Sequence, residues 1–186
     1  PINTNTHDAC VALSFDGNQM MIYRTSEDQL SGDLYLSRMD FNGWGTPVKF
    51  GPEINTPFIE TSACFSTDTS VIYFSSNKPG GLGGKDIYRI KKLPNGKWSM
   101  PLNLGLTINT ERDEDSPFLH PDGTTLYFSS KGHNTMGEYD VFKTTLNTET
   151  NQFSPPENLG FPINTVNNDI FFILNANGTH GYYSSV

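Results

Sequence analysis

The sequence predicts an all-β protein: a β-propeller of four-stranded antiparallel blades. Three observations carry that expectation. One block recurs along the chain at spacings of 52, 54 and 55 residues. Each block contains short runs rich in Tyr, Phe and Ile, which favour strands, separated by turn residues. No stretch between them has the apolar period of a helix, and 17 glycines and 12 prolines punctuate the 186 residues throughout. Four short strands per repeat with no helix between them is the pattern of a propeller blade.

The repeat can be followed residue by residue. Ile2-Asn3-Thr4 returns as Ile54-Asn55-Thr56, Ile108-Asn109-Thr110 and Ile163-Asn164-Thr165. After each comes an acid in the same place: Asp8, Glu60, Glu114 and Asp169. A turn residue follows at a fixed offset: Asp16, Asp68, Asp122 and Asn177. The next run reads Ile22-Tyr23-Arg24-Thr25-Ser26, then Tyr73-Phe74-Ser75-Ser76, Tyr127-Phe128-Ser129-Ser130 and Tyr182-Tyr183-Ser184-Ser185. Asp33-Leu34-Tyr35, Asp86-Ile87-Tyr88 and Asp140-Val141-Phe142 come next, and each unit closes on an aromatic and a proline: Trp44 with Pro47, Trp98 with Pro101, Phe153 with Pro156. One propeller unit over 1–186 is expected, with repeats at roughly 1–52, 53–106, 107–161 and an incomplete 162–186.

Each element has a local reason. Strand A is expected at 9–15, 62–66, 116–120 and 170–174. Asp16-Gly17 and Asp122-Gly123 suit the tight turn after it, because Asp bonds its own backbone and Gly accepts positive φ. Asp68-Thr69 lacks the glycine, so a different turn is expected there. Strand B is expected at 20–25 and its equivalents. Polar or glycine-rich loops at 27–32, 77–85 and 131–138 lead to strand C at 33–38, 86–91 and 140–145. Polar turns such as Pro94-Asn95-Gly96 then lead to strand D at the closing aromatic.

Composition excludes several classes. Twelve Lys and Arg stand against 20 Asp and Glu, a net charge of −8, which argues against a basic nucleic-acid-binding face. Aromatic residues are 12% and charged residues only 17%, unlike a disordered chain. No apolar run reaches the roughly eighteen residues of a membrane-spanning helix. Two cysteines, Cys10 and Cys64, are too few for a disulfide framework and lack metal-site spacing. Alternation along strand A puts both on the same side, leaving open an inter-blade disulfide or two small buried thiols.

The string His120-Pro121-Asp122-Gly123-Thr124-Thr125-Leu126-Tyr127-Phe128-Ser129-Ser130 resembles the TolB-type WD-like propeller repeat. Leu104-Gly105, Ile108-Asn109-Thr110 and Glu114-Asp115-Ser116-Pro117-Phe118, together with Asn77-Lys78-Pro79-Gly80-Gly81-Leu82-Gly83-Gly84-Lys85-Asp86-Ile87-Tyr88, are similar to the version found in cell-envelope proteins of Bacteroidota. The resemblance covers the whole chain. It implies a six-bladed parent, of which three full blades and half of a fourth are present here. It also implies a periplasmic, outer-membrane-associated setting, with protein partners in the envelope and some relatives in type IX secretion or gliding machinery. Peptidoglycan would be reached only through an OmpA-like domain outside this sequence.

Candidate site residues divide by repetition. An antiparallel meander brings the D-to-A segment and the B-to-C loop to one face, so Asp8, Glu60, Glu114 and Asp169 are placed around the channel mouth there. Converging carboxylates could take a cation or a basic partner group; equally, each could cap backbone amides between blades. Asp33, Asp86 and Asp140 repeat too strictly for a catalytic acid, which is unique and partnered, and are expected to bond the Ser-Ser hydroxyls or the loop backbone. Trp44, Trp98 and Phe153 are expected between blades rather than stacked on sugars.

Other patterns carry little chemistry. Glu111-Arg112-Asp113-Glu114-Asp115 lacks EF-hand spacing. The glycine-rich run before Lys85 is followed by a strand, not the helix of a phosphate loop. His7, His120, His133 and His180 fall at non-equivalent positions without metal spacing. No Ser, His and Asp form a nucleophile set. No cofactor and no catalytic residue is expected, and the chain reads as a non-catalytic protein-interaction module. The alternatives are the propeller of a hydrolase or lyase, or a carbohydrate-binding module.

Overall fold

The computed structural model describes residues 2–27 and 31–186, so the middle of the loop expected at 27–32 lies outside the described residues. Among the described residues the regular structure is entirely β-strand, in four antiparallel sheets that follow one another in chain order. The first sheet holds β1 (Asp8–Leu13), β2 (Gln19–Thr25), β3 (Gly32–Asp40), β4 (Gly43–Trp44) and β5 (Val48–Lys49). The second holds β6 (Ala63–Phe65), β7 (Val71–Ser76), β8 (Asp86–Lys91) and β9 (Leu102–Asn103). The third holds β10 (Glu114–Leu119), β11 (Thr125–Ser130), β12 (Asp140–Asn147), β13 (Gln152–Phe153) and β14 (Glu157–Asn158), and the fourth holds β15 (Asp169–Leu174) and β16 (Gly181–Ser185). The first strand of every sheet lines one common cleft, which makes each sheet a propeller blade with its first strand innermost.

The A-to-B turns are all alike. The Gly17, Thr69, Gly123 and Gly178 N–H groups each donate to the carbonyl three residues back at 2.9 Å. The expectation of a different turn at Asp68-Thr69 is therefore corrected: Thr69 takes φ 56°, in the left-handed region its glycine counterparts occupy. The side chain of the preceding acid or amide enforces this turn. Asp16, Asp68 and Asp122 accept from the N–H two residues on at 3.0, 3.0 and 2.8 Å, and Asn177 does so at 3.2 Å.

The outer strand differs from the single strand D expected. β4 and β5 both pair with β3, and β13 and β14 both pair with β12, as separate two-residue pieces. In the second sheet the first piece shrinks to one bridge, Lys92 to Trp98. The interruption falls at the prolines, which have no N–H to give the ladder.

The blades pack through two apolar clusters. One joins Met21 and Leu34 of the first sheet to Ile72, Phe74, Tyr88 and Ile90 of the second. The other joins Tyr73 and Ile87 of the second to Leu126, Phe128 and Phe142 of the third. Strand alternation explains the division, since successive residues of β7 and β8 serve opposite neighbours. Phe74, Phe128 and Phe142 are fully buried, each contributing about 1.5–3 kcal/mol. Between the third and fourth sheets, Tyr127 meets Phe172 at 5.0 Å.

Three of the four innermost strands carry bulges. Register shifts lie between Cys10 and Ala12, Asp115 and Phe118, and Ile170 and Ile173. The inserted residue breaks the simple alternation that placed both cysteines on one side. Cys10 pairs with Ile22 and is exposed, whereas Cys64 pairs with Tyr73 and is buried in the cluster between the second and third sheets. Both are free thiols.

Candidate functional site

The D-to-A segments and B-to-C loops meet at one end of the blades, and the recurring Ile-Asn-Thr triplet builds that end. The isoleucine is core: Ile54 and Ile108 are buried. The asparagine stands in for a strand. Asn55, Asn109 and Asn164 each accept from an N–H of the previous blade's third strand, Leu34, Ile87 and Val141, at 2.8 Å. Each returns a bond to the carbonyl of that same residue at 2.9, 2.9 and 2.8 Å.

The threonine binds the repeated acid. The Thr4, Thr56, Thr110 and Thr165 N–H groups donate to Asp8, Glu60, Glu114 and Asp169 at 2.6, 3.1, 2.7 and 2.6 Å, and each threonine hydroxyl adds a second bond. Ser76 and Ser130 donate to Glu60 and Glu114 at 2.6 and 2.7 Å; Arg24 does the equivalent for Asp8 at 2.6 Å. Glu60, Glu114 and Asp169 have no solvent exposure. Burial pushes the Glu114 carboxyl up despite its threonine and serine bonds. The acids stand at the loop end of the inner strands with their oxygens turned into the loop, and none of the four lines the common cleft. Asp169 Oδ1 alone among them has no hydrogen-bond partner.

The second series of acids organises the B-to-C loops. Asp86 accepts from the Leu82 and Gly83 N–H groups at 2.6 and 3.1 Å, and Asp140 from Met136 and Gly137 at 2.7 and 3.3 Å. Asn103 and Asn158 of the outer strand donate to the same carboxylates at 2.7 and 2.8 Å. Asp33 pairs with Lys49 at 2.8 Å. The bonds run to the loop backbone; the repeated serines serve other partners. Ser75 and Ser129 reach the carbonyls of Glu114 and Asp169 in the next blade at 3.2 Å.

Each loop is also clamped to the following blade. A Cβ on Gly83 would collide with the Arg112 and Thr110 carbonyls, and one on Gly137 with those of Asn167 and Thr165. Gly84 N–H donates to the Arg112 carbonyl at 3.0 Å, and Glu114 N–H to that of Lys85 at 2.8 Å. The glycine-rich run thus spends its N–H groups on Asp86 and the next blade. On this rigid face the apolar side chains Phe58, Leu82, Met136 and Val166 are exposed, Met136 by 52% and Val166 by 79%. Leu82 and Met136 are equivalent, each one residue before the glycine clamped to its neighbour.

The remaining candidates disperse. Trp98 and Phe153 pack against the two inter-blade clusters, and Trp44 is half-buried on the first sheet. In the acidic run, Asp113 accepts from Lys85 N–H at 2.9 Å, while Asp115 pairs with the Lys85 ammonium at 2.7 Å and accepts from the Ser62 hydroxyl. Among the described residues no three His, Cys, Asp or Glu side chains group as metal ligands. His133 packs on Phe142 at 5.2 Å and donates to the Ile108 carbonyl at 2.9 Å. The axial cleft, about 800 Å³, is lined mainly by apolar side chains such as Leu13, Phe15, Phe118 and Ile173. Among the described residues no helix is long and apolar enough to cross a membrane.

This architecture is that of β-propeller blades, and the solved structures that share its fold include TolB structures. The chain is similar to TolB from Acinetobacter baumannii, with TM-score 0.61 and 14% identity over 98% of this chain and 38% of that one. It is similar to the putative TolB from Agrobacterium tumefaciens, with TM-score 0.61 and 20% identity over 94% of this chain and 52% of that one. A weaker likeness joins it to the tricorn protease, TM-score 0.50 and 10% identity, over 93% of this chain and 20% of that one. The chain thus spans about half or less of the TolB structures it matches. No protein-family model matches the chain, and no curated protein matches it.

Proposed function

We propose that the chain is a non-catalytic protein-interaction and scaffold module of a periplasmic envelope protein working at the outer membrane. The observation that carries this reading is the loop face: Phe58, Leu82, Met136 and Val166 are held exposed on backbone clamped from blade to blade. Exposed apolar side chains on rigid loops favour a protein partner, because binding then costs little ordering entropy. The periplasmic setting, and secretion or gliding machinery as its context, rest on the resemblance of the repeat.

A photo-crosslinking amino acid at Met136 or Leu82, in the protein expressed in its native host, tests the reading. Expected is one covalent adduct with an envelope protein from both positions and none from Met100, which is more exposed than either, on the outer strand connection. Equal labelling from Met100, or recovery of the protein from the cytoplasmic fraction, overturns it.

A further inference from the structure

Arg89 is the most deeply buried cation of the second blade, only 5% exposed, and makes no ion pair among the described residues. Its Nε has no hydrogen-bond partner. The repeat shows what such a residue lacks. Arg89 on β8 lies between Tyr73 and Leu102; Lys143 on β12 lies between Tyr127 and Glu157 in the same registers. Lys143 pairs with Glu157 at 3.2 Å. The first blade holds Leu36 there, facing Val48, and needs no counter-charge. Of the three described blades that have this position, the second alone puts a cation there and an apolar residue, Leu102, where its carboxylate would sit.

The groups against Arg89 carry no negative charge. Burial pushes the Tyr73 phenol up, and the charge of Arg89 and a hydrogen bond with it pull the other way without supplying an anion; the buried Cys64 thiol that shares this cluster is pushed up to about 12. Asp86, which Asn103 touches, is occupied by the Leu82 and Gly83 N–H groups. An unpaired buried cation is costly, and an anion from outside offsets that cost.

The surroundings supply the space. Arg89 lines a pocket of about 310 Å³ at the rim between the second and third blades, with Asn103, Thr107, Asn151, Gln152 and Phe153. The wall from the third blade is fixed locally: Asn147 accepts from the Glu149 and Thr150 N–H groups at 2.9 and 3.0 Å, and Asn151 takes φ 54°. Phe153 meets Tyr73 edge-on at 6.4 Å and closes the apolar side. Amide and hydroxyl groups beside one guanidinium suit a singly charged planar oxyanion better than a doubly charged one.

We propose that this pocket binds a carboxylate group at Arg89, from a free small acid or from an acidic side chain of a polypeptide. The site lies at the outer rim and stands apart from the loop-face reading.

The test is an NMR titration of the full chain with sodium acetate at constant ionic strength, following the Arg89 Nε–H and Gln152 side-chain resonances. Both are expected to shift saturably, with sulfate binding more weakly. Arg89→Met is expected to weaken acetate binding at least about tenfold. Leu102→Glu supplies the internal carboxylate of the third blade and keeps the cation. It is expected to raise the melting temperature and abolish the acetate response, so the proposal remains testable even if Arg89→Met fails to fold. A glutamate-containing peptide at least tenfold tighter than acetate assigns the source to a polypeptide; equal affinity assigns it to a free acid. The proposal is overturned if acetate shifts neither resonance, if Leu102→Glu leaves the response intact, or if sulfate binds more tightly.

Discussion

The Ser130 hydroxyl donates to the Glu114 carboxylate at 2.7 Å, joining the first two strands of the third blade at their loop end. Ser76 and Glu60 repeat the pair at 2.6 Å. In the first blade both lengths change together: the shorter Asp8 is met by the longer Arg24. The fourth blade combines the short acid with the short donor, Asp169 opposite Ser185, and there Oδ1 is left without a bond.

Asp169→Glu should restore the missing pair. The added methylene brings a carboxylate oxygen to the Ser185 hydroxyl, as in the second and third blades. A gain of about 1 kcal/mol is expected in urea denaturation, the size of one recovered buried hydrogen bond. Ser185→Ala in the Asp169→Glu background should cancel the gain; a gain that survives would point to packing instead.

Thr69 holds a left-handed conformation where its three counterparts are Gly17, Gly123 and Gly178. A β-branched residue is strained there. Thr69→Gly should raise stability by about 0.5–1 kcal/mol, the strain relieved exceeding the unfolded-state entropy a glycine adds. Chemical denaturation with an unchanged slope checks this, and a lowered midpoint would contradict it.

The Asp122 turn should give way in acid. Burial pushes its carboxyl up, but the Thr125 and Thr124 N–H groups, the Thr125 hydroxyl and His120 outweigh that and hold it at about 2. A carboxyl lowered on folding stabilises above its unfolded value, 3.8, and that contribution is lost as pH falls towards 2. Asp122→Asn, which copies Asn177 of the fourth blade, should flatten the fall in stability between about pH 4 and pH 2. Denaturation midpoints of the two proteins across that range should converge.

The two cysteines should react at very different rates. Cys64 is buried, its sulfur accepts from the Leu119 N–H at 3.3 Å, and burial pushes its thiol up to about 12. Burial also pushes the Cys10 thiol up, but Cys10 is exposed, so a disulfide reagent near pH 8 should label Cys10 first and Cys64 only on unfolding. Equal labelling of both in the native protein would contradict the burial of Cys64.

The blades were legible because the repeat fixes many positions at once, and strand period and turn chemistry agree within each copy. Side-chain roles were less legible where they depend on register. Asn55, Asn109 and Asn164 repeat openly, but nothing in the sequence says that their partners are the backbones of Leu34, Ile87 and Val141 in another blade. The prolines were visible, yet their effect, an outer strand cut in two, appears only when the ladder is drawn. Arg89 was hidden for a different reason. It sits in an ordinary strand run, and its lack of a counter-charge emerges only beside Lys143 and Glu157.

The asparagine clamp has a consequence for how the molecule comes apart. The third strand of each of the first three blades is completed by a side chain belonging to the next repeat, so none of the four sheets can melt without freeing a donor and an acceptor in a neighbour. Unfolding should then spread along the array like a zip, and hydrogen exchange at Leu34, Ile87 and Val141 should slow or quicken with the fate of the following blade rather than their own.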